Sequence, residues 1–203
     1  MFEDVPSLCP VQFFGISADC LFSAKLKKDK QFLLPDTSKL LGEEPFAEVY
    51  AVWNLEKLLF FVNVSAEATD DSSVELFIDT RDLKSKGAIS KFCHHFLFHP
   101  VESQGFYGRE ITRFRGEDTH RLCHPEDLVV HSTAKKNTYT LEIEIPASCL
   151  TGFDPMNFSR LGFTYRINRA GAPSQHFAVS SEEYAIEQHP ATWGTLKLVR
   201  EDD

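Results

Sequence analysis

Apolar and polar residues alternate in strand-length segments along most of the chain. Residues 139–145 (YTLEIEI) are the clearest case, and Pro146 ends the pattern. A period of two is typical of a β-strand, whose successive side chains point to opposite faces of a sheet. No segment keeps a helical period over about 12 residues, the length of an ordinary helix. The sequence therefore predicts an all-β protein.

The strands predicted from this pattern follow one another at short spacing. Residues 57–65 are predicted to be a strand covered on both sides, because both of its faces are apolar near its start. Residues 35–45, 115–127 and 170–174 are predicted to be loops from their polar, glycine and proline content, and residues 146–150 to form one helical turn. The predicted strands are residues 20–27, 46–53, 57–65, 73–80, 91–99, 106–114, 128–132, 139–145, 161–168, 177–179 and 193–199.

Many short strands without crossover helices favour antiparallel sheets packed face to face. We therefore predict an antiparallel β-sandwich, immunoglobulin-like or jelly-roll-like, with short helical turns only. The length of 203 residues suits one such domain, spanning residues 1–203. The chain has 18 Phe, 5 Tyr and 2 Trp. Aromatic side chains favour strands, and most of them are expected to fill the space between the sheets.

Negative charge is in excess, since 21 Lys and Arg against 30 Asp and Glu give a net charge of −9. Binding to nucleic acid depends on clustered cations, so no nucleic-acid partner is expected. The one dense basic run, residues 25–30, also contains Leu26 and Asp29. It is interpreted as a solvated edge strand whose lysines oppose aggregation.

Three features predict a cytoplasmic location. The chain opens with MFEDVP, which differs from the basic start and apolar stretch of a secretory signal. No run of about 18 apolar residues is present, so no membrane association is expected. The five cysteines are odd in number and include no C-x-x-C pair. This pattern favours reduced thiols over a disulfide framework or a cysteine-rich zinc site.

Four segments, taken in order, resemble one superfamily. They are residues 49–64 (VYAVWNLEKLLFFVNV), 72–81 (SSVELFIDTR), 139–146 (YTLEIEIP) and 189–198 (HPATWGTLKL). The order resembles the family 9 carbohydrate-binding modules and their DOMON-like relatives over residues 15–199, although Ser72 stands where that pattern usually has an acidic residue. The resemblance implies a β-sandwich that binds sugars, or haem in some DOMON relatives. The chain looks similar to an uncharacterised intracellular bacterial branch, for which no ligand follows.

The resemblance implies a sugar site with an aromatic and a polar part. Sugar rings stack on aromatic faces, and their hydroxyl groups need fixed amide, carboxylate and guanidinium partners. Trp53 and Trp193 are the only tryptophans and both lie in the segments above. The alternative is that both belong to the core, as most tryptophans of β-domains do. The predicted ligand-binding residues are Trp53, Glu75, Arg166, Asn168, Gln175 and Trp193.

No cofactor is expected, although a structural calcium ion stays possible. Glu75 and Asp79 share one face of a strand, but calcium needs several more oxygens than these two supply. The alternative is that both are exposed sheet residues. Haem would require an axial Met or His. Met156 is the only methionine beyond the first residue, so haem is not expected either.

The histidines raise a second metal hypothesis. His94 and His95 point to opposite faces of one strand, so this strand cannot present both to one ion. His120, His124 and Cys123 of the following loop are candidates to join His95 in a zinc or iron site. Solvated histidines, or histidines satisfied in the core, are the alternative.

Catalytic motifs are missing from the sequence, which has no G-x-S-x-G elbow, glycine-rich phosphate loop or H-E-x-x-H pair. Glu142 and Glu144 lie about 7 Å apart on one strand face, a spacing that could suit a glycosidase, but alternating glutamates on a solvent face are the ordinary explanation. The prediction is a non-catalytic recognition domain for a carbohydrate or related polar ligand. Two alternatives are an intracellular protein-interaction or structural module without sugar binding, and a metal-dependent enzyme that uses the histidines.

Overall fold

The protein is described by a computed structural model that covers residues 15–84, 88–103 and 105–200. Within these ranges eleven strands belong to one continuous sheet. The strands are β1 (Ser17–Phe22), β2 (Ala47–Trp53), β3 (Lys57–Val64), β4 (Ser73–Asp79), β5 (Cys93–Ser103), β6 (Phe106–Glu110), β7 (Val129–Lys135), β8 (Thr138–Pro146), β9 (Arg160–Arg169), β10 (Ala172–His176) and β11 (Gly194–Val199). The described helical elements are α1 (Ser38–Leu41) and the 3-10 turns Lys30–Phe32, Pro125–Asp127, Ala147–Cys149 and Pro190–Thr192.

The strand order is β6-β5-β4-β9-β11-β1-β2-β3-β8-β7, and β10 pairs with β9. The sheet curls until its two ends meet: on β7, the hydroxyl of Ser132 donates to the carbonyl of Pro100 on β5 at 2.6 Å. The all-β prediction is confirmed. The finer prediction of an antiparallel sandwich is wrong in its pairing, because β1 runs parallel to both β2 and β11. The described strands form one nearly closed, barrel-like sheet where two separate sheets were predicted.

The core lies inside the curl and takes one side-chain row from each strand. On β4 this row is Val74, Leu76 and Ile78, all fully buried. Aromatic rings meet across the interior, where Phe60 of β3 stacks on Phe163 of β9 with ring centroids 5.6 Å apart. Most of the buried phenylalanines on strands therefore fill this space, as predicted, while Phe77 belongs to a separate cluster.

Two predicted elements differ from the structure near residue 177. Residues 170–174 were predicted as a loop, but residues 172–174 belong to β10, and residues 177–179 are not a strand. Ala178 has a φ of 69°, a left-handed conformation that ends strand geometry, while Phe177 and Val179 are buried. Burial, rather than strand pairing, accounts for the apolar character of this segment. The helical turn predicted after Pro146 is confirmed.

The prediction of reduced thiols is wrong for two cysteines, since Cys123 and Cys149 form a disulfide. Their Cα atoms lie 4.9 Å apart although 26 positions separate them in the sequence. Spacing along the chain gave no sign of this pairing, which depends on how the loop after β6 folds back. Cys20 and Cys93 are free and buried.

No helix among the described residues is both long and apolar enough to span a membrane.

Candidate functional site

Four side chains converge on the outer face of the sheet, where β4 lies between β5 and β9. Glu75 of β4 accepts from Nε and Nη2 of Arg166 on β9, at 2.8 and 2.7 Å. Nε2 of His95 on β5 lies 2.7 Å from the same carboxylate, and Nδ2 of Asn168 donates to it at 2.9 Å. The hydroxyl of Ser174 donates to Oδ1 of Asn168 and fixes that amide. The sheet register thus unites three predicted residues, Glu75, Arg166 and Asn168, with His95.

Glu75 is held as a carboxylate in this network. Burial by itself raises the pKa of Glu75, but hydrogen bonds from His95 and Arg166 and the positive charge of Arg166 outweigh it and bring the pKa to about 2. Burial lowers the pKa of Arg166, and its bonds to Glu75 and the nearby Glu187 more than offset that effect, so its pKa is raised. Both charges are therefore fixed at neutral pH.

A cleft of about 520 Å³ opens beside this network. Nη1 of Arg166 forms an ion pair with Glu187 across it at 2.7 Å. Arg115 donates to the side-chain oxygen of Gln188. Arg113 is exposed at the rim. The cleft is lined by Glu75, His95, Ile111, Arg113, Arg115, Arg166, Glu187 and Gln188.

Trp193 lies beneath this region and is 1% exposed. Its indole packs against Phe77 of β4 at 5.7 Å between ring centroids, and its Nε1 donates to the carbonyl of Ile186 at 2.8 Å. The segment after β10 folds over the outer face of β4 and closes a small apolar cluster that contains Trp193, Phe77, Cys93, Val179 and Ile186. The prediction that Trp193 offers its face to a ligand is therefore wrong.

Trp53 is also 1% exposed and belongs to the main core. Its ring meets the edge of Phe22 at 5.1 Å between ring centroids, and Arg200 approaches it at 5.5 Å. The predicted stacking role is wrong for Trp53 as well, because β1 and β3 pack beside this end of β2. The core alternative describes both tryptophans.

Gln175 has a structural role. It is fully buried, and its Oε1 accepts from the backbone N–H groups of Phe46 and Ala47, both at 2.7 Å, while its Nε2 donates to the carbonyl of Ala47. The side chain thereby joins β10 to the start of β2. The prediction that Gln175 binds a ligand is wrong, because protein groups already hold its amide.

Asp79 does not join Glu75 in a cation site. Its carboxylate accepts from the backbone N–H groups of Arg81 at 3.0 Å and Leu83 at 2.6 Å, so it closes the turn after β4. Residues four apart on a strand lie about 13 Å from each other. The possible calcium site at Glu75 and Asp79 is therefore not formed. Both are buried, and the alternative of exposed sheet residues is wrong too.

A second carboxylate cluster lies on the opposite, core-facing side of β5. Oε1 of Glu110 is 2.9 Å from Nδ1 of His94 and 2.8 Å from Nε2 of His120. Oε2 of Glu110 accepts from the backbone N–H of Cys123 at 2.7 Å. The histidine that meets His120 is thus His94, and the prediction that His95 does so is wrong; His124 is exposed. Glu110 was not among the predicted site residues, since it lies in the middle of the strand predicted at residues 106–114 and no motif marks it.

Burial raises the pKa of Glu110, and hydrogen bonds from His120 and His94 outweigh it and bring the pKa to about 2. Burial is the main influence on His94 and lowers its pKa, against the attraction of Glu110.

Glu142 and Glu144 are neighbours on β8 but differ from a glycosidase pair. Lys57 of β3 holds Glu144 through an ion pair of 2.5 Å, and Glu142 is exposed. The structure therefore favours the alternative of a solvated strand face.

The fold and the cleft define a β-domain built on one curled sheet with a polar cleft on its outer face. The sequence model of the family described as carbohydrate family 9 binding domain-like matches residues 31–201, so the chain belongs to that family. The DOMON-like part of the predicted resemblance stays a prediction. Comparison with the curated proteins finds no match.

Solved structures share the fold at low sequence identity. A family 9 carbohydrate-binding module from Caldicellulosiruptor kristjanssonii in complex with glucose is similar with a TM-score of 0.63 and 15% identity, over 93% of this chain and 98% of that one. A module of that family and organism in complex with cellotriose gives a TM-score of 0.57 and 14% identity, over 93% and 96% of the two chains. A protein from Bacteroides uniformis gives 0.53 and 12%, over 91% and 100%.

Proposed function

We propose that this domain binds carbohydrate without catalysing a reaction, and that the cleft beside Glu75 is the binding site. The observation that carries this proposal is the network that fixes Arg166 through both oxygens of Glu75. Polar groups held in one orientation are what recognition of sugar hydroxyls requires. Membership of the family, and relatives solved with glucose and cellotriose, support it.

The four acceptor directions of Glu75 are occupied by Arg166, His95 and Asn168. Glu75 therefore acts as a positioning residue, and the groups left to meet a ligand are those around it. Arg113, Arg166, Glu187 and Gln188 supply donors and acceptors along the cleft. The volume of about 520 Å³ falls within the range of roughly 300–1,000 Å³ that is usual for small-molecule sites.

The test is titration of the isotopically labelled protein with glucose, cellobiose, cellotriose and an uncharged polyol, followed by NMR. We expect the signals of residues around the cleft to shift. Arg113→Ala removes a charged donor at the rim and should weaken binding about tenfold. Lys136→Ala, which removes an exposed cation from the turn between β7 and β8, is the matched control and should bind normally. Failure of every sugar to shift any cleft signal at millimolar concentration would contradict the proposal.

A second candidate is a protein-interaction module. The burial of both Trp53 and Trp193 favours it, because the described lining residues of the cleft include no Trp, Tyr or Phe on which a sugar could stack. One experiment separates the two functions. If the domain is a protein-interaction module, neither the wild type nor Arg113→Ala responds to sugars, and Arg113→Ala binds a purified native partner more weakly than the wild type does.

The bacterial origin and the cytoplasmic location stay predictions. The Cys123–Cys149 disulfide provides a test of the location, because disulfides persist in oxidising compartments. Thiol alkylation of the protein in its native cell, followed by mass measurement, should find both thiols reduced if the location is cytoplasmic.

A further inference from the structure

We propose that His94, Glu110 and His120 bind one divalent transition-metal ion, for which Zn²⁺ is the probe. This site lies apart from the carbohydrate cleft, on the other face of β5. Nδ1 of His94 and Nε2 of His120 face one carboxylate oxygen of Glu110 at 2.9 and 2.8 Å, and the three residues offer ligand atoms that all lie within 4.8 Å of one another. All three side chains are almost completely buried.

The first argument compares the number of N–H groups on the His120 ring with the number of acceptors that the ring contacts. Its Nδ1 lies 2.7 Å from the carbonyl oxygen of Lys91, and its Nε2 lies 2.8 Å from the carboxylate of Glu110. Both oxygens only accept hydrogen bonds, whereas a neutral imidazole has a single N–H. One of the two short contacts is therefore unsatisfied in the neutral ring. A metal ion at Nε2 resolves this, because Nδ1–H then donates to the carbonyl, the usual arrangement behind a metal-bound histidine.

The crowding at Glu110 provides the second argument. Its Oε1 is approached by His94, by His120 and by the hydroxyl of Thr112 at 2.7 Å. The ion pairs that the structure gives for Glu110 are those with His94 and His120. The two imidazole rings stack with their centroids only 4.2 Å apart, and both are buried. A divalent ion bound between these nitrogens and the carboxylate would place its positive charge directly against Glu110.

The chemistry of the ligands selects the class of ion. Two imidazole nitrogens and one carboxylate oxygen suit zinc or another late first-row metal, whereas calcium and magnesium prefer oxygen ligands. Tetrahedral zinc with bonds of 2.0–2.1 Å separates its ligand atoms by about 3.3 Å. The present separations of 2.8 and 2.9 Å need to widen by only about half an ångström. Three protein ligands leave one of the four tetrahedral positions for another ligand.

The location suggests what the ion would do for the fold. His94 belongs to β5 and Glu110 to β6, while His120 belongs to the loop that follows β6. The backbone N–H of Cys123 in this loop also donates to Glu110. A bound ion would thus fasten the loop to the sheet next to the Cys123–Cys149 disulfide.

The test is calorimetric titration of the whole chain, with its disulfide intact, with Zn²⁺ at neutral pH. We expect one ion per chain. His120→Asn should weaken binding at least about 100-fold, since it removes a ligand. His124→Asn is the matched control, because this histidine lies in the same loop with 59% of its side chain exposed, and it should bind as the wild type does.

Nitrogen NMR of the histidine rings keeps the test decisive if His120→Asn does not fold. In the wild type, Zn²⁺ should shift Nδ1 of His94 and Nε2 of His120 and leave His124 unchanged. Three results would each overturn the proposal: no uptake of Zn²⁺ by the wild type, equal weakening by His120→Asn and His124→Asn, or shifts that occur only at other histidines.

Discussion

Glu75 and Glu110 lie on opposite faces of the same part of the sheet, and each accepts hydrogen bonds from histidine. Glu75 faces the cleft and has Arg166 as a permanently charged partner. Glu110 faces the core and is surrounded by His94, His120 and neutral donors. Burial alone therefore does not define a site: Arg166 balances the charge of Glu75, whereas the ion-pair partners given for Glu110 are histidines, which carry a charge only when protonated.

The largest expected effect comes from breaking the balanced pair. Arg166→Met removes the guanidinium and leaves Glu75 buried with only His95 and Asn168 as partners. Removing one member of a buried ion pair costs about 3–5 kcal/mol of the free energy of unfolding. Denaturant unfolding at neutral pH measures this. A loss below about 1 kcal/mol, the size expected for an exposed pair, would mean that water replaces Arg166 easily.

The disulfide beside the Glu110 cluster gives the next largest effect. Cys123→Ser together with Cys149→Ser opens a loop closed across 26 positions, which lowers the free energy of unfolding by roughly 3.5 kcal/mol. Unfolding with and without a reductant measures it. The reductant should destabilise the wild type and leave the double variant unchanged, and equal sensitivity of both would contradict the assignment.

Acid distinguishes Glu75 from an ordinary surface glutamate. The pKa of Glu75 is about 2 in the folded state, below the value of about 4.3 in the unfolded chain. The charged or titratable groups around it are His95, Arg166 and the neighbouring Glu187. The contribution of Glu75 is therefore complete above about pH 4.3 and is lost as the pH falls towards 2. Lowering the pKa by roughly 2 corresponds to about 3 kcal/mol of the free energy of unfolding at neutral pH.

Glu75→Gln should therefore destabilise the protein at neutral pH, and its deficit against the wild type should shrink at about pH 3. Unfolding curves of both proteins at several pH values measure this. Glu142→Gln, on the exposed face of β8, is the control and should track the wild type. A deficit for Glu75→Gln that does not change with pH would contradict the role assigned to its charge.

Thr112 connects the two regions and gives a smaller effect. Its hydroxyl donates to Glu110 at 2.7 Å and accepts from the backbone N–H of His95 at 2.8 Å. Thr112→Val keeps the shape but removes both bonds, which should cost about 2 kcal/mol. Thr112→Ser retains the hydroxyl and should restore most of the loss. If Thr112→Ser were as unstable as Thr112→Val, the methyl group would contribute as much stability as the two hydrogen bonds.

The smallest effect is expected for Glu187, at the solvent edge of the cleft beside Glu75. Glu187→Gln removes the ion pair with Arg166 but leaves the bond of Arg166 to Glu75 intact. Partly exposed pairs contribute little, so the free energy of unfolding should change by less than about 1 kcal/mol. A loss as large as that of Arg166→Met would show that Glu187 belongs to the buried network.

Strand register was enough to bring three of the predicted site residues together, and their role in binding stays a prediction. Glu75, Arg166 and Asn168 were named for their strand faces, and the register of β4 with β9 brings them together. The prediction failed for Trp53, Trp193 and Gln175, because whether a side chain on a known face is covered depends on segments distant in the chain. For Trp193 the cover comes from the residues between β10 and β11, which the alternation of residues does not describe.

The sequence by itself determined the β character, the boundaries of most strands and the two faces of each strand. The separation of His94 from His95 on β5 is one such result, because neighbouring side chains on a strand point apart. Only the tertiary structure decided the curl into one sheet, the parallel pairing of β1, the Cys123–Cys149 disulfide and the meeting of Glu110 with His120. The physical reason is the distance in sequence between the interacting residues. Alternation shows which side chains of a local segment share an apolar face, whereas strand pairing and the meeting of side chains depend on contacts between residues far apart in sequence.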